Sequence, residues 1–278
     1  DSAIIYSDYY NREVIRMWHI TERFWKEWDI ESEIPEFFGH QRSRMNMASV
    51  RALLARLYAY MGEKKKAYDA IEEMIAMGGQ WESWGFDDMN WLDPGYGRLL
   101  GDVIFNVYNT QAGEINAPFM SAERPLYIRN VPELFPAQNQ IDGRFERLLT
   151  VLGGNYLSIK SKKGNNDVAY IPLLRKSELY YIKGEYLASV GQVDAAVELL
   201  RDIRSARGDI SFDDLNTIYD ETGYVQAMLT DARKEYIGEG QSFYLFKRLN
   251  LPVFDGVQNI DFRNQYVLPV PKSEQVIF

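Results

Sequence analysis

IPLLRKSELYYIKGEYLASVGQVDAAVELLRDIRSARG, residues 171–208, reads as two helices joined by a tight turn. Pro172 suits a first helical turn. From it, Leu173, Leu174, Leu179, Ile182, Tyr186, Leu187 and Val190 recur at helical spacing up to Gly191. A second helix is expected over Val193 to Ala206, with Ala196, Val197, Leu200 and Ile203 inward and Gly208 as its stop.

The same pattern occurs earlier in the chain. A helix is expected from near Met47, with Val50, Leu53, Leu54, Leu57 and Tyr58 on its core face and a stop at Gly62. A partner follows from about Lys64 to Met77, with Ala67, Ile71, Met74 and Ile75 on one face and Gly78-Gly79 ending it. Aligned on their turns, Ala55, Tyr58, Gly62, Ala67, Ile71, Met74 and Gly79 share offsets with Gly184, Leu187, Gly191, Ala196, Leu200, Ile203 and Gly208. Small residue, large apolar residue, turn glycine and then alanine is the order of a tetratricopeptide (TPR) unit. The small residues let two helices approach, and the apolar ones fill the groove. The two units lie far apart, so this is no tandem array.

Outward from these pairs, residues 11–30 carry Val14, Met17, Trp18, Phe24, Trp25 and Trp28 near helical spacing. Another helical region begins near Thr222 or Gly223 and carries Val225, Met228, Leu229, Ala232, Tyr236 and Ile237, then Phe243 to Leu249; Gly238 and Gly240 should divide it. The tail Val267-Leu268-Pro269-Val270-Pro271 reads as extended. Residues 79–170 differ: they are rich in Gly, Asn, Asp, Pro and aromatics, without sustained period. Loops with short elements are expected there, at Val103 to Val107 and Tyr156 to Lys160; so long an irregular stretch is often functional. The fold expected is mainly α, as one domain over 1–278: a helical scaffold of TPR-like pairs at 11–77 and 171–250, with the irregular region 79–170 as the candidate ligand region.

Composition narrows the partners. The 278 residues carry 31 Lys and Arg against 40 Asp and Glu, a net charge of −9, which argues against a nucleic-acid surface or simple adhesion to anionic lipid. With no cysteine, disulfides, zinc-thiolate sites and thiol nucleophiles are excluded. No apolar run approaches the roughly 18 residues of a membrane-spanning helix. His19 and His40 are the only histidines, and neither lies in a catalytic motif. Gly153-Gly154 lacks the lysine of a phosphate loop. No cofactor is implied.

Aromatic content is 14%, and it concentrates informatively in QWESWGFDDMNWLDPGY, residues 80–96. Sugar rings present apolar C–H faces and outward hydroxyls. Flat aromatics meet the faces, while short carboxylates and amides take the hydroxyls. Trp81, Trp84, Trp91 and Tyr96 are the candidate platforms, and Asp87, Asp88, Asn90 and Asp93 the candidate polar contacts. The competing reading is that these aromatics anchor a long loop onto the helices. Adjacent Asp87 and Asp88 point in opposite directions in an extended loop, so they do not supply a glycosidase pair. Asp87, Asp88, Asn90 and Asp93 offer oxygen ligands for calcium, but not at EF-hand spacing.

In their order along residues 45–274, the motifs resemble the SusD/RagB family. "MNMASVRALLARLYAYMGEKKKAYDAIEEMI" (45–75) is similar to the family's first helix pair, and "IDGRFERLL" (141–149) to its Asp-x-Arg element, here Asp142 and Arg144. Within 171–208, Arg175, Glu178, Glu185 and Arg204 fall on matching positions. "DARKEYIGEGQSFYLFKRLN" (231–250) and "YVLPVPKSE" (266–274) resemble the family's closing motifs. Ser242 and Leu245 depart from them, standing where the family has an Arg and an Asp that look like an ion pair. Beside full members the sequence reads as short, without counterparts of the family's N-terminal helical region and lipid-anchoring Cys, as expected of a fragment, a cleaved product or a divergent member. The resemblance implies a non-enzymatic protein that captures oligosaccharide or polysaccharide at the cell surface. It implies outer-membrane attachment through a lipid anchor on the precursor, beside a SusC-like TonB-dependent transporter.

Arg175, Glu178, Glu185, Arg233, Glu235 and Glu239 are expected to tie helices together as structural ion pairs, with Arg175/Glu178 and Arg204/Arg207 facing neighbouring turns at i, i+3 spacing. The rival functions are a TPR-like adaptor that binds a peptide without glycan, and an enzyme on glycans that would need carboxylates from distant segments.

Overall fold

The computed structural model describes residues 45–76, 86, 89, 97–136, 142–254, 258–262 and 266. In chain order these form α1 (Met47–Tyr60), α2 (Lys64–Ala76), β1 (Val103–Tyr108), α3 (Ala112–Asn116), β2 (Tyr127–Ile128), α4 (Val131–Leu134), α5 (Gly143–Leu148), β3 (Leu149–Leu152), β4 (Asn155–Ser158) and β5 (Tyr170–Arg175). They continue through α6 (Lys176–Ser189), α7 (Val193–Ala206), α8 (Glu221–Glu235), α9 (Gln241–Leu249), β6 (Val253–Phe254) and β7 (Asn259–Ile260). The scaffold is helical, with small antiparallel sheets β1-β5, β2-β4-β3 and β6-β7. The expected helix over 11–30, the glycine stop at Gly78-Gly79 and the extended tail from Val267 lie outside the described residues.

The turns follow from the glycines. After α1, Gly62 has a φ of 75°; its N–H bonds Ala59 O and that of Glu63 bonds Tyr58 O. After α6, Gly191 has a φ of 80°; its N–H bonds Ala188 O and that of Gln192 bonds Leu187 O. Both are Schellman caps, which satisfy terminal carbonyls and need a residue free to turn left-handed. Each cap folds its helix onto the next, α1 onto α2 and α6 onto α7, and α2 also packs on α6. One apolar cluster joins Ala67, Ala70, Ile71 and Met74 of α2 to Leu179 and Ile182 of α6. A larger one joins Leu187, Ala196, Leu200 and Ile203 to Tyr224, Met228 and Ala232 of α8.

The core face of α1 differs from the expectation. Its buried stripe is Ala48, Ala52, Ala55 and Ala59, while Leu53 and Leu57 are 45% and 52% exposed. The alanines let α1 lie close to its neighbours. A close approach through small side chains fixes the helix's rotation and turns that leucine row outward. The start of α6 differs as well. Ile171 to Leu174 is strand, and the helix begins at Lys176. Pro172 and Leu174 are buried while Ile171 and Leu173 are half-buried, the alternation of a strand. Among the described residues β5 pairs only with β1, Val103 opposite Arg175 and Tyr108 opposite Tyr170, and a one-sided strand tolerates proline.

The irregular region contains the short elements β1 and β4 where apolar strips fall, together with α3, α4 and α5. The last helical region divides into α8 and α9, with Gly238 and Gly240 between them at φ of 74° and 73°.

Candidate ligand site

Of the candidate platform, Trp81, Trp84, Trp91 and Tyr96, with Asp87, Asp88, Asn90 and Asp93, lie outside the described residues. Two members of that segment are described. Phe86 stands edge-on to Tyr180, ring centroids 4.9 Å apart, with Lys176 Nζ 4.8 Å above its ring and the Arg207 guanidinium 5.5 Å away. Met89 is fully buried beside Leu99 and Leu148, and its N–H donates to Ala206 O at 2.9 Å. Both residues are thus held by the helical scaffold, Phe86 on α6 and Met89 at the end of α7.

Below these contacts lies a network of buried charge. Asp142 caps α5 through Arg144 N (3.0 Å) and accepts from Arg144 Nε (2.9 Å) and Nη2 (2.7 Å). Arg144 also reaches Glu235 on α8 (3.3 Å). Glu235 accepts from Arg207 Nη2 (2.6 Å) and Nε (3.2 Å), and Arg207 bonds Asp102 as well. Lys234 lies between Asp142 (3.2 Å) and Asp209 (3.3 Å). Arg204 joins Asp231 (2.8 Å) to Asp214 (2.7 Å). Apart from Asp214, which is exposed, these charges lie far from water and are stable only when paired and hydrogen-bonded. Burial alone would raise the Glu235 carboxyl, but Arg207, Arg144 and Lys160 hold it well below the usual carboxylate range. Asp142 is lowered too, because Arg144 and Lys234 outweigh its burial. At Asp231 burial outweighs Arg204 and Arg144, and its carboxyl rises.

The residues singled out for ion pairing take these positions. Glu235 is central to the network, and Glu239 accepts from Lys160 (3.0 Å) and from Arg175 Nε (2.7 Å). Glu185 pairs with Arg248 at 2.8 Å, and the more exposed Arg233 with Glu133 at 3.1 Å. The local Arg175/Glu178 and Arg204/Arg207 facings do not occur as ion pairs. Glu178 accepts from Arg56 Nε on α1 (2.6 Å), while Arg175 turns to Glu239. Arg175 caps α6 from an extended backbone, so the spacing rule for helix neighbours does not apply to it. Arg204 and Arg207 are both cations, and each finds its own carboxylates.

Sequence reasoning missed Arg98, Asp102, Lys160, Asp209 and Lys234, all buried. No local signal marks them: Asp102, Lys160, Asp209 and Lys234 find their partners far away in sequence, and the Arg98 guanidinium closes no ion pair among the described residues. Arg98 lines a cleft of about 240 Å³ with Asn109, Asn116, Ser161, Pro172 and Glu239. Among the described residues no group of three or more acidic or histidine side chains is arranged to hold a metal ion. No described helix is long and apolar enough to cross a membrane.

This helical scaffold, with its small antiparallel sheets, is the SusD fold. A SusD superfamily protein from Bacteroides thetaiotaomicron VPI-5482 matches with a TM-score of 0.67 and 23% identity, over 86% of this chain and 61% of its own. One from Bacteroides vulgatus ATCC 8482 matches with a TM-score of 0.66 and 19% identity, over 84% of this chain and 58% of its own. A laminarin-binding SusD-like protein matches with a TM-score of 0.52 and 19% identity, over 76% of this chain and 56% of its own. The chain therefore spans about three fifths of the length of the first two structures. No protein-family model matches it, and no curated protein does.

Proposed function

We propose that this protein is a non-enzymatic glycan-binding protein, one SusD-like domain whose TPR-like helix pairs carry an irregular ligand region at 79–170. The observation that supports the reading is the likeness in fold to SusD superfamily structures, one of them a laminarin-binding protein. In this reading Trp81, Trp84, Trp91 and Tyr96 stack on sugar rings, and Asp87, Asp88 and Asn90 take hydroxyls. The protein works at the outer cell surface, anchored by lipid in its full-length precursor, and hands oligosaccharide to a SusC-like TonB-dependent transporter. Free glycans are held by stacking and hydrogen bonds, so affinity is modest.

Isothermal titration against soluble polysaccharides, laminarin among them, tests this, with Trp81→Ala, Trp84→Ala and Trp91→Ala alongside. Binding of one glycan that a Trp variant abolishes while its circular dichroism is unchanged supports capture at this segment. A well-folded protein that binds nothing across the panel refutes it. One observation favours the adaptor reading instead: Leu53, Leu57, Tyr60 and Met61 form an exposed apolar row along α1 and its C-terminus.

A further inference from the structure

Among the buried cations described, Arg98 is the exception. It is 3% exposed, yet its Nε has no hydrogen-bond partner and its guanidinium closes no ion pair among the described residues. The carboxylates nearby are committed elsewhere. Asp167 accepts the backbone N–H groups of Gly97 (3.2 Å) and of Arg98 itself. Glu239 is held by Arg175 and Lys160. Burial disfavours the charge on Arg98, and the attraction of Glu239 and Asp167, neither of which its guanidinium contacts, does not offset it. A guanidinium removed from water without a carboxylate in contact is costly unless something arrives to pair with it.

Arg98 does not face packed protein alone. It lines the 240 Å³ cleft between α3 and the start of β5, where Asn109, Asn116 and Ser161 add polar groups, Ile115 and Pro172 add apolar surface, and the one carboxylate, Glu239, is neutralised by Arg175 and Lys160. That volume is small for a drug-sized ligand and suits one sugar ring. The mix also suits a sugar: apolar side chains for a C–H face, amides and a hydroxyl for its hydroxyls. The geometry points to this cleft as a subsite for an acidic sugar unit, a uronic acid whose carboxylate pairs with Arg98. The planar fork of arginine matches a carboxylate through two parallel hydrogen bonds. The inference rests on the glycan-capture reading and gives it a substrate class: glycans that carry carboxylates.

The test is titration of the full chain with galacturonate and trigalacturonate, with the methyl ester of each, and with the neutral glycan panel. The ester keeps the shape and removes the charge, so it examines the unaltered protein. The free acids are expected to bind roughly ten- to a hundredfold more tightly than the esters, as the loss of a charged hydrogen-bonded contact implies. The preference should shrink as salt rises, and Arg98→Gln should abolish it. Equal binding of acid and ester, or no binding of galacturonate in any form, overturns the subsite whatever the neutral glycans do. Neutral glycan binding without acid preference leaves the capture reading standing and removes only the subsite. Acid preference without neutral binding upholds the subsite and restricts capture to acidic glycans.

Discussion

Glu235→Gln is the substitution that examines the buried charge network most directly. The glutamine keeps the shape of the side chain and removes its charge. Glu235 is completely buried, and it is shared by Arg207 (2.6 and 3.2 Å) and Arg144 (3.3 Å). Removing one partner from a buried pair costs about 3–5 kcal/mol, because the remaining charge is stranded. Here each cation keeps another carboxylate, Asp102 for Arg207 and Asp142 for Arg144. The cost therefore belongs at the lower end, about 3 kcal/mol. At about 2–4 °C per kcal/mol for a large domain, Tm should fall by roughly 6–12 °C. Asp214→Asn is the control: it too removes a carboxylate from an arginine, but Asp214 is 55% exposed and Arg204 retains Asp231. An exposed pair contributes about 0–1 kcal/mol.

Urea unfolding followed by far-ultraviolet circular dichroism measures both variants. If Glu235→Gln costs no more than Asp214→Asn, burial does not set the strength of these contacts and the reasoning fails. Acid gives a second reading. The Glu235 carboxyl titrates lower in the folded protein than in the unfolded chain, so its contribution is complete above about pH 5 and disappears as pH falls. Asp142 and Glu239 are lowered likewise and act in the same direction, whereas Asp231 is raised and acts in the opposite one. Wild type should therefore lose stability steeply below about pH 5, and Glu235→Gln should lose it less steeply.

Other substitutions probe the packing. A Cβ on Gly184 would fall inside the phenol of Tyr224, which is fully buried, so Gly184→Ala should cost about 1–3 kcal/mol of stability by urea unfolding. Ala55→Leu overpacks the buried stripe of α1 and should cost about as much, while Leu57→Gln on the exposed row should stay within about 0.5 kcal/mol of wild type. The reverse order would mean that the leucine row is the core face of α1. Asp220 caps α8 through Gly223 N at 2.8 Å, so Asp220→Ala should cost about 1 kcal/mol, measured the same way.

What the sequence made legible was local. Gly62 and Gly191 announce caps because the αL conformation is a property of one residue, and the bonds that follow span five. Periodicity located α2 and α7 for the same reason, since each face repeats within a helix. The errors arise where a distant element decides. Counting apolar bulk puts Leu53 and Leu57 inward, but the closeness of α1 to α2 and α6 is set by Ala52 and Ala55, and the smaller stripe wins. Ile171 to Leu174 satisfies a helical count as readily as a strand, and only β1, some 65 residues earlier, makes it a strand. The charges show the limit most clearly. Asp142 and Arg144 are recognisable as a spaced pair, yet Arg144 also needs Glu235, 91 residues away. Arg207 likewise needs Asp102, at a separation of 105. A lysine or arginine is read as solvated unless its partner is near in sequence. So the same rule that reads surface helices well hides Arg98, whose guanidinium closes no ion pair among the described residues although Asp167 and Glu239 lie near it.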